Sequence, residues 1–203
     1  MFQDCWTILQ VTEMDVAGTT EAATMGVLAD EQSAREVQWA RASRDELVER
    51  IARAIREDGT AEPLDGLRLR RASSPTDTGH GVSFPAFCVI AQGGKEVLLG
   101  DKRYRYDPAH FLIATTAVPI GSRVSEASIE RPYLGFVLRL EPALVGSVMV
   151  EAGRPAPQSH TAVTAIDVSL LDAGLLDAVV RFVRLLDVPA DARFLAPLIT
   201  REI

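Results

Sequence analysis

Residues 88–116, CVIAQGGKEVLLGDKRYRYDPAHFLIATT, alternate apolar and polar side chains in three short runs. Successive side chains of a strand point to opposite faces of its sheet, so this period of two indicates half-buried β-strands. Turn residues separate the runs at Gly93-Gly94, Gly100-Asp101 and Asp107-Pro108. Short glycine-containing turns join antiparallel neighbours, so the segment predicts consecutive β-hairpins.

Further strands are predicted on both sides, in GLRLRRAS, VPIGSRVSEAS and YLGFVLRL, and one more in TAVTAIDVS. The stretch SSPTDTGHGVSFP has the composition of a loop. About seven short strands within about 75 residues cannot leave long edges exposed, so we expect an antiparallel β-barrel or a double-sheet jelly roll. The predicted fold class is mainly β with helices (α+β).

Four helical stretches are predicted outside these strands, and two of them are a short one from Pro142 to about Glu151 and one that starts in DARFLAPLITREI. Ser43 and Glu46 form a capping box that opens a helix at about 44–57, with Gly59 as its stop. A second helix is predicted over 170–187, with a stripe of Leu171, Leu175, Val179, Phe182 and Leu186. The apolar residues of this helix exceed one stripe, so we expect it to form a homodimer, and the alternative is burial within one chain.

Composition limits the classes of function. The 203 residues carry a net charge of −7, which disfavours direct binding of this chain to duplex DNA or an anionic membrane. The two cysteines, Cys5 and Cys88, match neither a disulfide framework nor a zinc site, and indicate a reduced compartment. No secretory signal and no apolar run of about 18 residues is present, so a soluble, cytoplasmic chain without a membrane partner is expected.

No catalytic constellation is found in the sequence. The three histidines, His80, His110 and His160, form no H-x-H pair of the kind that holds a metal in cupins, so no metal and no cofactor is expected. Neither a G-x-S-x-G elbow nor a phosphate-binding glycine motif is present. We therefore expect no catalytic residues and no enzyme.

Three residues are candidates for contact with a ligand. Tyr104 and Tyr106 share one face of the strand KRYRYD, and Cys88 lies in an apolar strand. Tyrosines could line a cavity or fill a core, and Cys88 could be a core residue or a sensing thiol. The basic run Arg68, Arg70 and Arg71 is more often a solvated strand face than an anion site.

The segments VIAQGGKEVLLGD, YRYDP, VSEASIERPYL and LEP, within a match over about 44–203, resemble the N-terminal regulatory domain of AraC-type transcriptional regulators. The resemblance implies a cupin-like barrel that senses a small effector, followed by helices that pair two chains. It also implies a C-terminal domain with two helix-turn-helix motifs that binds operator DNA. Since the sequence stops at ITREI without a helix stop signal, we expect that domain to lie beyond Ile203.

The expected organisation is an N-terminal extension of uncertain order (1–42), a helix with the effector-binding barrel (43–168), and a helical dimerisation or linker segment (169–203). Two other classes remain open, a metal-dependent cupin enzyme and a structural interaction module with a filled barrel. The missing H-x-H pair disfavours the enzyme. A ligand-sized space inside the barrel would distinguish the sensor from the structural module.

Overall fold

The computed structural model describes residues 34–153 and 164–203. The chain divides into two units, Met1–Ala42 and Ser43–Ile203, and each is described by itself. In the first unit, the described residues 34–42 are helical. The second unit begins with helical residues 43–54, named α1 here.

The predicted start of the first helix is wrong. Ser43 is itself helical and helical residues precede it, so it does not cap a helix start. Glu46, the other half of the expected capping box, accepts hydrogen bonds from Arg50 and Arg184. The pattern S-x-x-E is common enough inside helices to imitate a start signal.

Ten antiparallel strands form two separate sheets in the described part of the chain. The six-stranded sheet has the order β1 (Gly59–Leu64), β2 (Leu67–Ala72), β9 (Tyr133–Arg139), β4 (Ala86–Gln92), β7 (His110–Ala114) and β10 (Ile166–Leu170). The four-stranded sheet has the order β3 (Gly79–Val82), β8 (Pro119–Glu126), β5 (Gly94–Leu99) and β6 (Lys102–Tyr106). The α+β fold class is confirmed, and the sheets take the double-sheet form.

Of the three predicted turns, one joins a hairpin. Leu99 lies opposite Lys102, so Gly100-Asp101 is a two-residue turn between β5 and β6, as predicted. The hairpin predicted at Gly93-Gly94 is wrong, because β4 pairs with β7 and β9 whereas β5 pairs with β6 and β8. Similarly, the turn at Asp107-Pro108 leads from β6 in one sheet to β7 in the other. The chain thus crosses between the sheets at both places, as strands do at the corners of a sandwich.

One core lies between the two sheets. It joins buried residues from both of them, including Cys88, Ile90 and Leu112 of the larger sheet and Val97 and Val124 of the smaller one. Alternation along each strand places these residues on the inner faces. The loop expected over SSPTDTGHGVSFP contains β3, which pairs with β8 at the edge of the smaller sheet.

Helices cover the other face of the six-stranded sheet. They are α2 (Pro142–Glu151), α3 (Ala173–Arg184) with a 3-10 turn at Leu185–Asp187, and α4 (Pro189–Glu202). Phe136 on the outward side of β9 packs edge-on against Phe182 of α3, with ring centroids 5.9 Å apart. The helix predicted from residue 170 begins later, because Leu170 still pairs with His110. Asp172 caps α3 by accepting a hydrogen bond from the Leu175 amide at 2.9 Å. No helix of the described residues is long and apolar enough to cross a membrane.

A charged contact fixes α1 beside α3. The Arg184 guanidinium donates to both carboxylate oxygens of Glu46, at 2.8 and 2.7 Å. These hydrogen bonds, with those from Arg50, lower the pKa of Glu46 from 4.5 to about 2. The ionised carboxylate therefore stabilises the folded chain above pH 4.5, and this stabilisation is lost as the pH falls towards 2.

We expect Glu46→Gln to lower the free energy of unfolding by about 1 kcal/mol at pH 7, since hydrogen bonds between charged groups are replaced by weaker ones. The difference from the parent should shrink between pH 4.5 and 2, where Glu46 itself becomes protonated. Urea denaturation at several pH values measures both effects. Glu49→Gln, in an exposed pair with Arg53 on the same helix, is the control and should change little. A difference from the parent that stays constant down to pH 2 would contradict this role of Glu46.

Candidate functional site

The three predicted ligand-contact residues lie on one surface, the inner faces of the two sheets. Cys88 on β4 lies opposite Leu112 and Val137, and both Cys88 and Tyr106 belong to the core between the sheets. Tyr104 packs against the same core. The alternation of KRYRYD therefore turns its tyrosines inward and its arginines, Arg103 and Arg105, outward.

Two tyrosines from opposite sheets are close together in this core. Tyr106 and Tyr133 are each 2% exposed, and burial raises the pKa of both phenols, so both stay neutral at physiological pH. The ring of Tyr133 lies over Gly135, because a Cβ placed there would be 2.9 Å from the ring carbon Cζ. Gly135 thus lets the Tyr133 hydroxyl lie against the inner face of β9. Sequence analysis did not identify Tyr133, since YLGFVLRL shows no polar alternation around it.

Lys95 is a second inner-facing residue that sequence analysis missed. It lies opposite Tyr106 on β6 and Val124 on β8, which are both buried in the core. Among the described residues, Lys95 has no hydrogen bond and no ion pair. Desolvation lowers the pKa of its ammonium group, with a further lowering by Arg70. The sequence did contain a signal for this orientation, because Lys95, Val97 and Leu99 alternate with their neighbours and therefore lie on one face of the strand.

The three arginines of β2 have different environments. Arg68 pairs with Glu62 at 2.6 Å, and Arg71 lies 3.5 Å from Asp58. Arg70 is partly buried and faces inward, opposite Gly135, and it has no ion pair among the described residues. Arg70 therefore lies on the inward side of β2 and is still partly exposed.

Arg70 also lines a cleft of about 320 Å³ at the open edge of the sandwich. The other walls of this cleft come from β3, from the loop before it, and from Ile120 and Ser122 of β8. Ile120 packs against the core and Ser122 shares its inward phase, so the cleft borders the inner face of the smaller sheet. A second cleft, of about 600 Å³, lies on the opposite side of the larger sheet against α3 and α4.

Cys88 has the environment of a core residue. It is buried, and desolvation raises the pKa of its thiol to about 11. At physiological pH the sulfur is therefore a thiol, whereas reactivity towards electrophiles requires the thiolate. This environment favours the core interpretation over the sensing thiol.

The residues predicted for dimerisation divide between two environments. Leu171, Val179 and Phe182 are buried within this chain, whereas Leu175 and Leu186 are partly exposed. Much of the apolar surface of α3 is therefore covered by its own chain. Exposed apolar residues nearby include Leu170, 72% exposed, and Phe194 and Leu198 of α4, 62% and 63% exposed.

The described histidines do not converge. His80 lies exposed on β3, and His110 on β7 contacts Asp107 at 2.8 Å. His160 lies outside the described residues, as does Cys5. Within residues 34–153 and 164–203, no group of three or more histidine, cysteine or acidic side chains could hold a metal ion.

A known protein family matches most of this sequence. No curated protein matches the sequence. The structure is similar to that of an apo ToxT variant from Vibrio cholerae, with a TM-score of 0.45 and 8% identity, over 71% of this chain and 55% of that one. The match thus spans little more than half of the length of ToxT. Residues 63–203 match the family described as the AraC-type transcriptional regulator N-terminus, and since this is well over half of the chain, the protein belongs to that family.

Proposed function

We propose that this chain is the effector-sensing part of an AraC-type transcriptional regulator and that the effector binds between the two sheets. The observation that carries the proposal is the convergence of Tyr104, Tyr106 and Tyr133 with Lys95 on the inner faces. None of these four side chains has a hydrogen bond to another described residue, so their polar atoms are available to a ligand. An apolar space with a few polar groups is the usual form of a small-molecule site.

In this proposal the ligand enters at the cleft beside Arg70. It lies where β3, a strand of four residues, forms the edge of the smaller sheet. Ser122 is small and lies on its wall, two residues from the buried Val124. A ligand in this cleft would contact Ile120 and Ser122 on the inward side of β8.

The remaining parts of the proposal concern the partners. In this account, operator DNA is bound by a separate domain of the regulator, since the net charge of −7 disfavours DNA binding by these 203 residues. A homodimer stays a prediction. The partly exposed Leu175 and Leu186, together with the exposed face of α4 around Phe194 and Leu198, supply apolar surface for a second chain.

A thermal-shift screen of small metabolites tests the proposed function. A ligand that binds only the folded chain raises its Tm by mass action. For each compound that does so, Tyr104→Ala should reduce the shift, because Tyr104 is partly buried at the inner surface and its truncation leaves the buried Tyr106 in place. Arg103→Ala, the outward-facing neighbour on the same strand, is the matched control and should respond like the parent. Hits whose shifts are unchanged by Tyr104→Ala would contradict a site between the sheets.

A further inference from the structure

The second cleft, of about 600 Å³, lies between α4 and the outer side of the six-stranded sheet. Three parts of the same chain enclose it: the turn between β1 and β2, the start of α2 and one side of α4. Its lining includes apolar side chains that are only partly buried, among them Leu64 before the turn, Leu144 on α2 and Ala196 on α4. Its volume is within the range of small-molecule sites, and it offers such a molecule an apolar surface.

The side of α4 that faces the cleft carries small residues. Ala192 and Ala196, one turn apart, line the cleft together with Pro197. The large apolar residues Phe194 and Leu198 lie on the other side of the helix and are exposed. A helix that covers a sheet normally turns its large apolar residues towards it. Because α4 presents alanines there instead, it leaves a space that the chain does not fill, whereas protein interiors are otherwise closely packed.

The charges around the cleft cancel. Its described lining contains two carboxylates and two guanidinium groups, all of them on exposed residues: Asp65, Glu141, Arg139 and Arg193. Carbon Cζ of Arg193 lies 4.4 Å from the ring centroid of Phe194, on the solvent side of α4. Exposed groups of opposite sign attract the charge of a ligand only weakly, because their fields cancel and water screens them. The cleft therefore favours a neutral ligand.

We propose that this cleft is a second small-molecule site, which takes a neutral compound with an apolar body between α4 and the sheet. The site lies on the opposite side of the larger sheet from the one proposed between the two sheets, and it does not rest on that proposal. A ring or alkyl chain in the cleft contacts Leu64, Leu144 and Ala196 and removes their apolar surface from water, which stabilises the complex.

One ring system in three charge states tests the class of ligand. We would measure Tm at pH 7 with naphthylmethanol, sodium naphthoate and naphthylmethylammonium chloride of the same ring isomer, each at about 1 mM and at equal ionic strength. The neutral alcohol should raise the Tm, and the two ions should raise it less. A larger shift with either ion, or no shift with the alcohol, would overturn the inference.

Two variants test whether the alcohol binds in this cleft. Ala196→Leu fills part of the space, and Leu144→Ala removes an apolar contact from its wall. Each should weaken binding of the alcohol about fivefold or more. The matched controls are Ala190→Leu, exposed on α4 outside the lining, and Val145→Ala, exposed on α2, and both should bind like the parent. Binding that neither cleft variant weakens would place the alcohol elsewhere and overturn the inference.

Tyr104→Ala separates this site from the one between the sheets, and it should bind the alcohol like the parent. Compounds whose shift depends on Ala196 and Leu144 are assigned to this cleft, and the Tyr104→Ala test of the other site applies to the remaining hits. Binding of the alcohol that depends on Tyr104 and on neither cleft residue would overturn the second site and support the first.

A last measurement requires no ligand. Ala196→Leu should keep or raise the Tm of the ligand-free chain, because the cleft has room for the larger side chain. A marked fall in its Tm, with Ala190→Leu unchanged, would show that the space does not admit added atoms and would overturn the inference.

Discussion

Replacing Val179 with glutamate is expected to unfold the chain and not merely to separate a dimer. Val179 is fully buried in α3, between the buried Ala178 and Val180. An unpaired carboxylate at this position loses its water without gaining a partner, and such substitutions cost about 4 kcal/mol or more. That is a large part of the stability of a typical domain, so the circular-dichroism melting transition should be lost or shifted far downward.

Leu175→Glu is the matched control, since Leu175 belongs to the same predicted stripe but is partly exposed at the first turn of α3. This variant should stay folded. Light scattering on the parent and on Leu175→Glu then measures the dimer separately from folding. If Val179→Glu instead gives a folded monomer from a dimeric parent, α3 would be an interface helix and its burial within the chain would be contradicted.

Gly93→Ala is expected to have the second large effect. Gly93 has φ +88, in the region that favours glycine, at the point where the chain passes from the six-stranded to the four-stranded sheet. A Cβ here would clash with the carbonyl oxygen of Glu126 and lie 3.1 Å from Cα of Tyr133. Both are backbone atoms of neighbouring strands and cannot move independently. We expect a loss of about 3 kcal/mol or more in the free energy of unfolding, measured by urea denaturation.

Gly100→Ala separates the two causes of this loss. Gly100 also has a positive φ, +56, but a Cβ there meets no atom within 4 Å. Its substitution should therefore cost only the backbone strain, about 1 kcal/mol. Equal losses for the two variants would mean that crowding at the crossing between the sheets does not contribute.

The strands could be predicted because their signal is local. Alternation in KEVLL and KRYRY sets which residues share a face, and Gly100-Asp101 forms the predicted two-residue turn. The same kind of local signal at Gly93-Gly94 gave a wrong hairpin. A glycine pair permits a tight turn, but whether the next strand pairs with the previous one or enters the opposite sheet depends on β8 and β9, which come later in the sequence.

The candidate site was predictable only in part. The period of two placed Tyr104 and Tyr106 on one face, but it could not identify that face as the inner one, because the face depends on packing between the sheets. Lys95 was missed since a lysine between apolar residues is usually exposed. Similarly, the apolar content of α3 indicated that its side chains are buried, but not which residues bury them. Phe136 of β9, in the same chain, is one of those residues.

Calorimetric titration of a ligand from the metabolite screen tests whether an effector binds between the two sheets. We would compare the parent with two variants. Ser122→Phe places a ring in the cleft beside Arg70. Leu98→Phe adds the same ring on the opposite face of the neighbouring strand β5 and is the control. We expect the parent and Leu98→Phe to bind one ligand per chain with similar affinity. Ser122→Phe, folded by circular dichroism, should bind at least about tenfold more weakly. Equal binding by all three chains would contradict a site between the sheets.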